Sequence, residues 1–336
     1  MPMHSIFNRL PHDPRSQRGF TLIELMISLV IGLLLSAAIV KIYADTSQIY
    51  RFQSAVSEVQ ENGRFASTFL RRTARLGGNF GCDASKDISG SKGVPDHLKF
   101  FNGTPPQPAQ PIGGTEGGGT NSDALILRSA TGGGVRLKED PASEDANLTV
   151  ETQSGLTKDS FAVISDCNTT HMFKINSVSS DGSTITHTGT TQAYTTENGA
   201  RVQEIHAVTY CIGRAKAWTA TNTLMALKRL INPGTAETCP NNGTELVEGI
   251  HNLQVRYGID TDAPPDNFAN RYVTAPADMS RVKSLRIELL VRSLSNGITS
   301  VAVPYTLDGI EITPLTGDRH LYKVMTNTIT LRNKGT

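Results

Sequence analysis

Phe20-Thr21-Leu22-Ile23-Glu24-Leu25-Met26-Ile27-Ser28-Leu29-Val30-Ile31-Gly32-Leu33-Leu34-Leu35-Ser36-Ala37-Ala38-Ile39-Val40 holds a single ionisable side chain in 21 residues. As a helix rising about 1.5 Å per residue, such a run crosses about 30 Å of hydrocarbon. Ahead of it, residues 1–19 carry Arg9, Arg15 and Arg18 against Asp13, and Lys41 follows it. The excess of arginine on the leader places residues 1–19 in the cytoplasm and the bulk of the chain outside. A secretory signal peptide has a shorter apolar core, about 7–15 residues, and a small-residue cleavage site behind it, which is a different design. The leader's net +2, set against a formal charge of +1 for all 336 residues, means that its removal leaves −1. A chain so nearly neutral gives no support to nucleic-acid or acidic-polymer binding.

Glu24 stands out, because a carboxylate within a hydrocarbon-length segment is costly and calls for a cationic partner; the plainer reading is a side chain snorkelling to the headgroups. Ser28, Gly32 and Ser36 recur every fourth residue and line one helix face with small side chains, a pattern that admits another helix closely and is also common in membrane helices generally. Beyond Lys41 the helical period continues, with Ile49, Phe52, Val56, Val59, Ala66 and Leu70 expected on one side and Gln53, Ser57, Glu58, Glu61 and Arg64 on the rest. Gly77-Gly78 is the expected stop. A membrane-anchored coiled coil shares this periodicity.

From residue 77 onward, short apolar and β-branched runs alternate with Gly, Asn, Asp and Pro clusters, which predicts a β-rich domain. Expected strands are Ala124–Arg128, Asn147–Glu151, Phe161–Ser165, Met172–Val178, Ser183–His187, Glu204–Cys211, Leu224–Leu230, Leu253–Ile259, Ser284–Arg292 and Leu321–Arg332. The stretch Asn102–Thr120, NGTPPQPAQPIGGTEGGGT, reads as a surface loop without regular hydrogen bonding. Cys82, Cys167, Cys211 and Cys239 lack the spacing of a zinc site, and outside the cytoplasm they can pair in three ways. The pairing favoured is Cys82 with Cys167 and Cys211 with Cys239; four buried thiols are the other reading. Asp260, Asp262 and Asp266 with Asn267 form a weak calcium candidate, since Pro264-Pro265 breaks any EF-hand order and a solvated turn explains them as well. No GxSxG, HExxH, P-loop or dinucleotide motif occurs, so no catalytic residue, resident metal or cofactor is expected.

Arg18-Gly19-Phe20-Thr21-Leu22-Ile23-Glu24 resembles the recognition sequence of type IV prepilins. The resemblance implies that a prepilin peptidase cuts after Gly19, that the new Phe20 amine is N-methylated, and that Glu24 meets the Phe20 amine of a neighbouring subunit to set assembly register. Glycine suits the cut, because an extended backbone without a side chain enters a protease cleft freely. Glu245-Leu246-Val247-Glu248-Gly249-Ile250 running into Leu253–Asp260, the stretch Val282–Ser293 and the ending Tyr322–Asn333 resemble the PilW family of minor pilins. Residues 100–203 carry much less of this likeness.

What the resemblance implies is an α+β fold: a long N-terminal α-helix, transmembrane and then amphipathic, packed on a β-rich pilin-like globular head. The divisions are residues 1–19 as leader, 20–41 as membrane and filament-core helix, 42–76 as amphipathic helix and 77–336 as exported head. The implied role is non-enzymatic, in type IV pilus assembly or initiation, with twitching motility by resemblance. Implied partners are other minor pilins, the major pilin, the prepilin peptidase and the inner-membrane assembly platform. The implied location is the bacterial inner membrane, single-pass with a periplasmic head, and then the pilus. A type II secretion pseudopilin of the J kind and a pilus-tip adhesin share these features and remain open at this point.

Overall fold

The structure is a computed structural model that describes residues 19–80, 112–117, 121–143, 145–152, 154–166, 170–188, 194–220, 222–231, 239 and 243–331. By compactness the chain divides into two units, Met1–Arg51 and Phe52–Thr336. Helix α1, Leu22–Leu76, supplies residues 22–51 to the first and 52–76 to the second. It ends where the glycines require. Gly77 N–H donates to the carbonyls of Thr73 and Ala74, Asn79 N–H donates to the Leu76 carbonyl, and Gly78 takes the left-handed conformation at φ 82°. The chain leaves the helix hydrogen-bonded to the second strand, through Gly78 N–H to the Arg128 carbonyl and Ala130 N–H to the Asn79 carbonyl.

The rest of the second unit is built from strands β1 (Ile112–Thr115), β2 (Ala124–Ala130), β3 (Val135–Arg136), β4 (Leu148–Thr149), β5 (Phe161–Ser165), β6 (Thr170–Val178), β7 (Thr184–Thr188) and β8 (Arg201–Arg214). Then follow β9 (Met225–Ile231), β10 (Thr244–Glu248), β11 (Ile250–Ile259), β12 (Arg271–Val273), β13 (Val282–Arg292), β14 (Tyr305–Leu307), β15 (Ile310–Ile312) and β16 (Tyr322–Thr330). All pairings are antiparallel among the described residues. A ten-stranded sheet runs β1-β2-β8-β5-β6-β7-β4, with β3 and β9 also on β8 and β10 on β9; a four-stranded sheet runs β12-β11-β13-β16; β14 and β15 form a hairpin. β8 is long enough to serve two neighbourhoods. Its first residues pair with β3 and β5, and its last pair with β2 and β9.

The core between helix and sheets explains why residues 52–76 are as they are. Ala55, Val59, Gly63, Ala66, Leu70 and Ala74 are buried on α1, against Leu125, Leu127, Tyr210, Leu253, Val255 and Leu289 among others. Four of these six helix residues are Ala or Gly, so the helix backbone lies close to the strands. Phe69 meets the Tyr210 ring edge-on at 5.9 Å, Asn327 Nδ2 donates to Ser67 Oγ at 2.9 Å, and the Leu294 N–H donates to Glu58 Oε1 at 2.9 Å. The apolar face expected from the large side chains is therefore shifted: Val59, Ala66 and Leu70 are inside, whereas Ile49 and Phe52 are exposed. A second cluster, including Ile164, Phe173, Ile175 and Val202, fills the β3–β7 region.

Two expectations about loops also change. Within the Pro and Gly-rich stretch, Ile112–Thr115 form a regular strand in register with Ala124–Leu127, and Ile112 is fully buried. Residues 102–111 and 118–120 lie outside the described residues. The six strands not expected, β1, β3, β10, β12, β14 and β15, have five residues or fewer and are set by their partners in the sheet.

Candidate functional site

Thr21 and Glu24 open α1 as a capping box. The Thr21 hydroxyl accepts the Glu24 N–H at 3.3 Å, and Glu24 Oε2 accepts both the Thr21 N–H and the Thr21 hydroxyl, each at 3.0 Å. Two otherwise orphaned donors of the first turn are satisfied, and the carboxylate sits at the positive end of the helix. Glu24 thus has a partner within its own chain, and Oε2 carries it; Oε1 accepts no hydrogen bond among the described residues. The signal was present in the sequence as Thr-x-x-Glu ahead of an apolar run, and a reading centred on a neighbouring amine passes over it.

Along residues 22–40 the large apolar side chains stand out in the open, from 52 % exposed at Ile31 to 78 % at Leu22, with Phe20 just ahead at 88 %. The segment is long and apolar enough to cross a membrane, with a mean hydropathy of 2.5 and none of it buried in the protein. Ser28 and Ser36 turn their hydroxyls back onto the carbonyls of Glu24 and Gly32, at 2.7 and 2.8 Å, leaving no unpaired hydroxyl on the small-residue face. At Gly32 an added Cβ would meet nothing within 4 Å. Gly19, also exposed, immediately precedes this segment.

In the head, Cys211 on β8 and Cys239 form a disulfide, one of the two favoured pairs. Cys82 and Cys167 lie outside the described residues. One carboxylate oxygen from each of Asp260, Asp262 and Asp266 lies within 4.8 Å of the others. Asp260 is buried, and its two oxygens accept the N–H groups of Asp262 at 3.0 Å and Asn267 at 2.7 Å. Asp266 Oδ1 accepts the Phe268 N–H at 2.9 Å, and Asp262 Oδ2 accepts Asn270 Nδ2 at 3.0 Å. Burial works to raise the Asp260 pKa, but the two amide donors, with Lys283 and Arg281 nearby, bring it below the usual carboxylate value. This geometry closes a turn by its own amides.

Two family models match. One, described as the prokaryotic N-terminal methylation motif, covers residues 14–40. The other, described as Type IV Pilus-assembly protein W, covers residues 209–333. Together the two matches support a PilW-like type IV minor pilin. The methylation match takes in the open apolar segment and its capped carboxylate, and motif and helix together fit membrane anchoring. The PilW match runs from β8 to just past β16 and contains the whole four-stranded sheet on which the buried part of α1 packs. Comparison with curated proteins and with solved structures produced no match.

Proposed function

We propose that this pilin is a non-enzymatic minor subunit that helps start or build a type IV pilus. Its helix leaves the lipid bilayer and joins a bundle of like helices, and the head selects its neighbours. The observation that carries the reading is the 22–40 segment: apolar on every side, its hydroxyls turned inward, and topped by a carboxylate with one oxygen to spare. Lipid and other pilin helices are both apolar environments, so the same surface suits the subunit before and after assembly. Cleavage after Gly19 would free an amine on Phe20, and Glu24 Oε1 would receive the amine of an adjoining subunit, fixing axial register. N-methylation keeps that amine cationic.

In this reading residues 77–336 lie in the periplasm during assembly and on the pilus afterwards, and the partners are the major pilin, other minor pilins, the prepilin peptidase and the assembly platform. The test is deletion of the gene with complementation, scoring surface pili and type II secretion in the same strains. Loss of pili with secretion intact is expected; normal pili with failed secretion would assign the subunit to a secretion pseudopilus instead. Complementation with Glu24→Ala should restore a processed, membrane-inserted protein but few pili.

A further inference from the structure

β16 ends the four-stranded sheet, and its far edge is open. It lies in unbroken register with β13, from Ser284 opposite Thr330 to Arg292 opposite Tyr322. The flanking bonds fix which way its backbone faces: Leu331 N–H donates to the Lys283 carbonyl and Ser293 N–H to the Leu321 carbonyl, each at 2.9 Å. Opposed residues of an antiparallel pair alternate between bonded and non-bonded, so the odd-numbered residues of β16 turn their amides and carbonyls to β13 and the even-numbered ones turn theirs away. At Val324, Thr326, Thr328 and Thr330 these outward groups meet no partner among the described residues, and the three threonines are exposed.

An open edge is a template for another strand, and protein sheets normally blunt it by shortness, charge, proline or a bulge. Among the described residues the edge strands β1, β3, β4, β10 and β12 have five residues or fewer; β10 also has a register shift and carries Glu245 and Glu248, and β12 carries Arg271. β16 has nine residues and an even register, and Val324–Leu331 holds no charge, proline or glycine. None of the usual protections is present along it. Its inner face is already fixed, with Ile329 buried and Asn327 Nδ2 donating to Ser67 Oγ on α1, so little ordering is left to be done on binding.

We propose that this edge is the docking site for an extended segment of another pilin's head, uncharged and β-branched along its middle and flanked by acids, which adds to the sheet as a further strand. That the partner is a pilin rests on the assembly role above; its chemistry rests on β16 itself. The outward amides and carbonyls supply the ladder, and the threonine side chains favour β-branched neighbours. Lys323, exposed at the start of the edge, selects an acid. Charge argues against a second copy as the occupant: residues 321–334 hold Lys323, Arg332 and Lys334 and no acid, so two β16 strands bring only like charge to the joint.

The test is isothermal titration of the full chain in detergent micelles at pH 7, against micelles alone. The probes are Ac-Asp-Thr-Val-Thr-Val-Thr-Asp-NH2, the same peptide flanked by lysines, and Ac-Lys-Val-Met-Thr-Asn-Thr-Ile-Thr-NH2, which copies residues 323–330. The acid-flanked peptide should bind, and the other two several-fold more weakly. Thr328→Pro removes one outward N–H and no bond to β13, a change that edge strands admit; it should weaken the acid-flanked peptide about tenfold with the Tm unchanged. Lys323→Glu leaves the backbone untouched on an exposed side chain, and should reverse the preference between the acid-flanked and lysine-flanked peptides. No binding of the acid-flanked peptide, tightest binding of the strand copy, full binding by Thr328→Pro, or an unreversed preference in Lys323→Glu would overturn the proposal. The titration involves no pili, so the two readings fail separately. Normal pili after gene deletion, with the titration as expected, would remove the pilin partner and keep the edge as a docking site, whereas lost pili with no peptide binding would keep the assembly role and overturn the edge.

Discussion

Residues 22–40 and 55–74 belong to one helix and obey opposite rules. In the first stretch the apolar side chains are large and exposed, and the glycine at 32 has open space around it; in the second the buried residues are mostly small, and the glycine at 63 is held against Met325 and Val291. Hydrophobicity alone therefore does not identify the part of α1 that stabilises the head. The large apolar side chains of the first stretch are exposed and take no part in the described core. The second stretch contributes by close approach, with Val59 and Leu70 as its bulk.

The largest contrast should come from truncating one leucine in each stretch. Leu70→Ala removes a side chain 1 % exposed and is expected to destabilise the head by about 2–5 kcal/mol, whereas Leu33→Ala, on a residue 62 % exposed, should change it by less than about 0.5 kcal/mol. Denaturant unfolding followed by near-UV circular dichroism measures both. Equal losses would erase the distinction. Enlarging the two glycines is the converse: Gly63→Leu should cost about 1–3 kcal/mol by overpacking, and Gly32→Leu should leave the head unchanged in the same assay while interfering with helix bundling in pili.

Acid should destabilise the head. His251 is held neutral, its pKa lowered to about 3 first by burial and then by the charges of Arg292 and His320, with Asp318 opposing; its Nε2 accepts the Met225 N–H. Between the ordinary histidine value of about 6.5 and about 3, the unfolded chain binds a proton that the folded chain refuses, so stability falls as pH falls, by up to about 1.4 kcal/mol per pH unit. His251→Gln should flatten that slope; an unaltered slope would place the acid sensitivity elsewhere. The smallest expected effect is that of calcium. With the Asp260 oxygens already accepting two amides, millimolar calcium should leave the Tm unmoved, and a rise of several degrees would make the turn a cation site.

These contrasts also mark what could be read in advance. The membrane-length run, the Gly77-Gly78 stop and strands such as Phe161–Ser165 were legible because each is a local pattern, of length, of backbone freedom or of alternation. Ile49 and Phe52 were misplaced because hydrophobic periodicity weights large side chains, and here the packing seam uses small ones. Ile112–Thr115 was hidden in a Gly-rich stretch, since its strand conformation comes from the register with β2 and from burial of Ile112, both long-range facts. The Thr21–Glu24 cap was visible in principle as a four-residue signature.

All of the proposed assembly chemistry presupposes a free amine four residues before Glu24. Intact-mass and N-terminal peptide analysis of protein taken from the cell's membranes reads this directly. Expected is a chain beginning at Phe20 and carrying one methyl group, with Gly19→Glu retaining residues 1–19. A wild-type chain that still begins at Met1 while pili are being made would contradict it.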